Sequence, residues 1–320
     1  MMSSSTASSG KKSTPPSSIS HREEIINNLL ILRKNDSLND VKIILSDGNV
    51  FANSVIMSSA SDYFATMLSS DKFVEGETKE VPMKEYGTKE AMEQVVNYIY
   101  SGDMNLEEIG FETLLEIMHL SKMLLLRTDS LFTSLEAYII SLLGRLWSPL
   151  SILELLRGFM LVERYRLDSL RKHVVNVINA EMQYEEVDCY PGGAFILQQF
   201  NVKMIKEILL YKYDPADPTV ADLDPAPSTK YRFKFFQLWY SENKDCKAED
   251  KKIILDSFDL DDFTGEELLT VVKESGLFPE KEIDKNCIKK FNKHFEPVLV
   301  CCGFFFKTQK LLGSCKVAAR

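Results

Sequence analysis

Long apolar runs are missing from this 320-residue chain. Nothing in it approaches the ~20 consecutive apolar residues that a membrane helix needs. The longest conspicuous run, Val298 to Phe306, has the length of a strand or a buried segment. Histidine is scarce: four residues, at 21, 119, 173 and 294, none in ligand spacing with a cysteine, so no zinc signature exists. His119 lies in an apolar helical run and reads as a packed core residue rather than a ligand. Six cysteines do not make a disulfide framework in a chain this long. The Ser-rich start has no apolar signal core, so the cysteines are expected as reduced thiols in the cytosol or nucleus. That expectation includes the adjacent Cys301 and Cys302, for which acylation is the alternative. Positive charge is in deficit, with 38 Lys and Arg against 47 Asp and Glu, a net charge of −9. This argues against a general nucleic-acid binder and against a polybasic membrane tether. Glycine-rich phosphate loops and G-x-S-x-G are absent. Asp259, Asp261 and Asp262 lack the glycine and closing glutamate of a calcium loop and read as a solvated helix start. No cofactor, no metal and no enzyme are expected; a binding or scaffolding protein is.

What is present is a chain with 45% apolar residues, enough for a sizeable core. Residues 1–20 hold nine Ser and two Pro and are expected to form a disordered tail. In the helix that follows, at 21–34, Ile25, Ile26, Leu29, Leu30 and Leu32 share a broad apolar face. Val41–Leu45, a turn containing Asp47-Gly48, and Val50-Phe51 read as a hairpin. Residues 54–68 read as two helical pieces, with Ser61-Asp62 capping the second. Glu75-Gly76-Glu77 reads as a loop, and Pro82 makes the strand after it an edge strand at best. From Thr88 onward the pattern is helical, with a stop at Gly102 and a break at Trp147-Ser148-Pro149. Helices continue through 185–212. Four Pro and four Asp make 213–229 an exposed loop. Thr264 with Glu267 forms a capping box. The last twenty residues carry four basic groups, no acid and Phe304–Phe306.

Leu38-Asn39-Asp40-Val41, Phe51-Ala52, Ser61-x-Tyr63-Phe64 with Met67-Leu68, and Tyr98-Ile99-Tyr100-Ser101-Gly102 resemble, in order and spacing, the BTB (POZ) domain. The chain departs from that pattern at Ala52-Asn53-Ser54, where the family has A-H-[KR]; the charged co-repressor pocket of BTB transcription factors is therefore not expected. The segments 152–178, 233–243 and 255–278 are similar to the BACK domain of Kelch-like proteins, without Kelch repeats or zinc fingers following. The implied fold class is an α+β BTB domain, a small sheet flanked by helices, followed by an all-α BACK domain. Implied boundaries are 21–135 for BTB, 148–296 for BACK and 297–320 for a short tail.

The resemblance implies a homodimer held partly by Ile25, Ile26, Leu29 and Leu30. It also implies cullin-3 binding, marked in the family by a hydrophobic-x-Glu motif after the S-x-Y-F helix. Phe73-Val74-Glu75 stands at that place, so Phe73 and Glu75, with Phe64 and Met67 of the preceding helix, are the implied cullin-binding residues. The chain would then recruit an unidentified protein substrate to a cullin-3 ubiquitin ligase in the cytoplasm or nucleus, without contacting membrane or nucleic acid. The alternative is a self-associating scaffold or transcription-linked module that binds no cullin.

Overall fold

The computed structural model describes residues 21–69, 73–144, 150–182, 193–211 and 229–290. The tail at 1–20, the break at 147–149, the loop at 213–228, Cys301-Cys302 and the 297–320 segment therefore lie outside the described residues. The chain divides into two compact units, Met1–Leu135 and Glu136–Arg320.

The first unit is built on the expected hairpin. β1 (Val41–Ile44) and β2 (Asn49–Ala52) pair antiparallel, and β3 (Glu80–Pro82) adds parallel to β1, giving the order β2-β1-β3. Alternation places Val41, Ile43, Val50 and Ala52 on one buried face. Pro82 sits on an edge strand, where its missing N–H disrupts no ladder. The described residues also form seven α-helices up to and across the unit boundary: α1 (Arg22–Arg33), α2 (Ser54–Ala60), α3 (Asp62–Met67), α4 (Val74–Thr78), α5 (Lys89–Ser101), which packs on β2, α6 (Phe111–Met123) and α7 (Ser130–Leu143), whose residues after Leu135 belong to the second unit. Thr88 caps α5, and Gly102 ends it in the left-handed region at φ 76°. Between those signals Met92, Val95, Val96 and Tyr100 are buried, each aliphatic contributing roughly 1.5–3 kcal/mol.

The stretch at Glu75-Gly76-Glu77 is not a loop but the single-turn helix α4. It stops at Lys79, held at φ 57°, rather than at a glycine.

The second unit is helical throughout its described residues. α8 (Ile152–Tyr165) starts at a capping box of Ser151 with Glu154 and packs on α9 (Asp168–Glu181). Arg171 of α9 forms ion pairs with Glu163 of α8 and with Glu207, and its proton is held tighter by Glu207 and then by Glu163. α10 (Gly193–Gln198) and α11 (Val202–Leu209) bear out the helical reading of 185–212 where that stretch is described. Thr229, assigned above to the loop, opens α12 (Thr229–Glu242), which buries Phe233, Phe235, Phe236 and Trp239. The Trp239 indole donates to the Phe200 carbonyl at 3.0 Å. After α13 (Ala248–Leu255), the Thr264–Glu267 capping box starts α14 (Gly265–Glu267) as expected. This runs through a π-helical turn, Leu268–Val272, into α15 (Lys273–Ser275). A last helix, α16, covers 280–290.

Candidate interaction surface

The motif residues of the first unit stitch its strands to its helices. Asp40 accepts hydrogen bonds from the Ser54 backbone N–H at 2.7 Å and the Ser54 hydroxyl at 2.6 Å. Partial burial raises the Asp40 pKa, but the Ser54 hydrogen bonds outweigh it and hold the carboxyl below its ordinary value. Asn53 caps α2 through Val55 and Ile56, and its amide donates to the Leu38 carbonyl at 2.9 Å. The Asn53 backbone N–H donates to the Tyr100 hydroxyl at 2.8 Å. The departure Asn53-Ser54 thus supplies a helix cap and a strand-to-helix tie.

The α2–α3 junction pins a distant loop. The buried Ser61 hydroxyl accepts from Phe64 N–H at 3.1 Å and donates to the Leu124 carbonyl at 2.5 Å. Asp62 N–H donates to the Leu125 carbonyl at 3.1 Å, and Arg127 N–H to the Ala60 carbonyl at 2.9 Å. The Arg127 guanidinium adds bonds to Asp62 and to the Ser59 carbonyl, each 2.9 Å. Held this way, Leu125 takes φ 49°, unusual for a branched apolar residue, and leaves its side chain 58% exposed. Beside it is a groove of about 620 Å³, lined among others by Asp62, Leu125, Leu126, Asp129 and Phe132.

One residue along α3, Tyr63 lies half-buried with its ring edge-on to Phe64 at 5.4 Å. Burial, then Tyr86 and then Glu75, push the Tyr63 hydroxyl pKa up, so these three polar groups share one neighbourhood. Phe73 is the N-cap residue of α4 and is 39% exposed; Val74 next to it is 71% exposed. Glu75 and Met67 are half-exposed. Met67 follows Tyr63 by one helical turn and so shares its face of α3.

Phe64 is a correction. It was expected to touch a partner, but its side chain is fully buried, so it anchors α3 from within and offers no surface. Leu125 and Phe132, which line the groove, were not singled out in the sequence. The signal for Leu125 is the apolar run Met123–Leu126 cut short by Arg127-Thr128-Asp129.

α1 carries the other set. None of its residues is fully buried; Ile25 is 57% exposed, while Ile26, Leu29 and Leu30 are half-covered. Arg33 pairs with Glu93 of α5. Ile26 and Leu30 fall on the Arg33 face at i, i+4, i+7 and so lie toward α5, whereas Ile25, Leu29 and Leu32 form the neighbouring stripe.

Among the described residues no helix is long and apolar enough to cross a membrane, and no group of three or more His, Cys, Asp or Glu is placed to hold a metal. No curated protein matches the chain. Among solved structures, the BTB domain of zebrafish PATZ1 is similar at 20% identity and a TM-score of 0.32, covering 40% of this chain and 99% of that one. The BTB/POZ family model matches residues 29–142, the stretch that holds the three-stranded sheet, the hairpin and the capped helices described above. The chain therefore carries a BTB/POZ domain, a protein-interaction module, over residues 29–142.

Proposed function

We propose that the chain is a dimeric adaptor that docks cullin-3 through the α3–α4 face of its BTB domain and recruits a protein substrate to a cullin-3 ubiquitin ligase. The observation that carries this reading is Leu125. An exposed leucine held in left-handed backbone by hydrogen bonds from the α2–α3 junction, beside a groove that Asp62 of the Tyr63-bearing helix also lines, is preorganised to receive an apolar partner side chain. Phe73 and Val74 add exposed apolar area close by, and aromatic anchors of this kind are frequent hot spots. Glu75 supplies a rim charge. The helical region at 148–296 is read as a BACK domain and as the substrate-side module. Catalysis would belong to the ligase; the adaptor's contribution is proximity, doubled by dimerisation. Its place is the cytoplasm or nucleus.

A second reading, a self-associating scaffold without cullin, draws on the exposed Ile25 stripe of α1, which asks for a second copy whether or not cullin binds. Co-elution of the full chain with a cullin-3 N-terminal fragment on size exclusion with light scattering separates the two. The adaptor gives a 2:2 complex; the scaffold gives a homodimer and free fragment.

A further inference from the structure

In the second unit, α13, the turn at Leu260–Asp262 and α16 enclose a groove of about 760 Å³. Its floor is apolar, with Phe258 and Leu260 buried and Leu255, Leu277 and Phe278 half-exposed. That floor is braced from below: the Phe233 ring lies edge-on to Phe258 at 5.3 Å and 5.9 Å from Phe278. The α16 wall is fixed by buried Ile283 and by Lys289 and Lys290, which bond the Asp261 carboxylate and carbonyl.

Among the residues that line this floor, carboxylates outnumber ammonium groups four to two. Four carboxylates line the groove, those of Asp256, Asp259, Asp261 and Glu282. Asp261 is neutralised by Lys289. Asp256, Asp259 and Glu282 have no ion-pair partner among the described residues; Asp259 only accepts the Asp261 N–H at 2.9 Å. Of the two lining lysines, Lys251 sits 4.4 Å over the Tyr240 ring and bonds its hydroxyl. Lys252 is the other lining lysine and pairs with none of these carboxylates among the described residues.

We propose that this groove docks a short peptide in which a large apolar side chain is flanked by Lys or Arg. The apolar side chain would displace water from an apolar floor, and the flanking cations would meet carboxylates that have no ion-pair partner among the described residues. This names the substrate class of the adaptor; it rests on the proposed function only in calling the bound peptide a substrate segment.

The test is fluorescence anisotropy of the full chain, without cullin, titrated into a labelled peptide Lys-Arg-Phe-Leu-Arg-Lys. The expected result is saturable binding, weakened at least tenfold by Asp256→Lys with Glu282→Lys and about threefold by the gentler pair Asp256→Asn with Glu282→Gln, in line with rim charges of modest individual worth. Replacing Phe-Leu in the probe by Gly-Gly should also cost at least tenfold. Equal affinity for wild type and both variant pairs would overturn the proposal, as would a Gly-Gly probe binding as tightly as the parent, which is diffuse charge attraction alone. A free peptide of residues 303–320 that binds more tightly than the probe would make the occupant this chain's own segment and reject an outside partner. Because cullin is absent, failure here leaves the cullin-3 reading standing, and failure of cullin-3 docking leaves this result standing.

Discussion

Holding a leucine in left-handed backbone costs about 1–2 kcal/mol, and Leu125 bears that cost while exposing an apolar side chain. Leu125→Gly removes the strain but adds glycine's extra chain entropy of roughly 0.5–1 kcal/mol. Folding stability should therefore change by less than about 1 kcal/mol in urea titration, while cullin-3 affinity falls on the order of tenfold. A variant that loses stability and affinity together would give Leu125 a purely structural role. Asp40 makes a pH-dependent contribution. Its folded carboxyl titrates below the ordinary 3.8, so the Ser54 hydrogen bonds stabilise the native state above that value and are lost as pH falls through the folded pKa. Asp40→Asn should lower the urea midpoint near neutral pH, and the gap from wild type should shrink at about pH 3. Asn176 of α9 is fully buried, and neither its side-chain oxygen nor its nitrogen finds a hydrogen-bond partner. Asn176→Leu removes two desolvated polar atoms and should stabilise the second unit by about 1–3 kcal/mol, read as a raised melting temperature.

At the scale of elements, the caps were the most legible features. Ser61 and the Thr264–Glu267 box act within three residues of themselves, so local sequence carries the whole signal. The hairpin was legible for the same reason. α4 was not: five residues cannot show a helical period, and its left-handed stop falls on Lys79 rather than on glycine. The π-helical turn at Leu268–Val272 left no mark either, because its apolar spacing is compatible with an ordinary helix. The Leu125 geometry is set by Ser61, Asp62 and Ala60, more than sixty positions away in sequence, and no local pattern encodes it. Phe64 and Met67 sit three residues apart on one short helix; only packing decides that the first is interior and the second is not. Ser61→Ala should test the junction. It deletes a cap worth about 1 kcal/mol and strips the Leu124 carbonyl of a buried donor at a similar or larger cost, about 2 kcal/mol together. Its urea midpoint should drop accordingly, and amide exchange should quicken at Asp62 and Arg127, whose N–H groups bond across the junction to the Leu125 and Ala60 carbonyls. Unchanged exchange there would separate the loop from the cap.

For the whole molecule, two surfaces of the BTB domain are assigned to two partners. In the proposed dimer the Ile25, Leu29 and Leu32 stripe of α1 would face the second copy. Ile25→Asp with Leu32→Asp should convert a homodimer to monomer in light scattering at micromolar concentration, because a charge buried without a partner is strongly disfavoured. Ile26→Asp with Leu30→Asp should instead destabilise the fold, since those side chains lie toward α5. The proposal that the α3–α4 face and the Leu125 groove dock cullin-3 is the central claim. Its most direct test is calorimetric titration of a cullin-3 N-terminal fragment into the wild-type chain and into Phe73→Ala. The account predicts binding by wild type at tens of micromolar or tighter and a loss of about 2 kcal/mol, near 30-fold, for Phe73→Ala, with the dimer intact. No heat of binding from the wild-type chain at that concentration would contradict it.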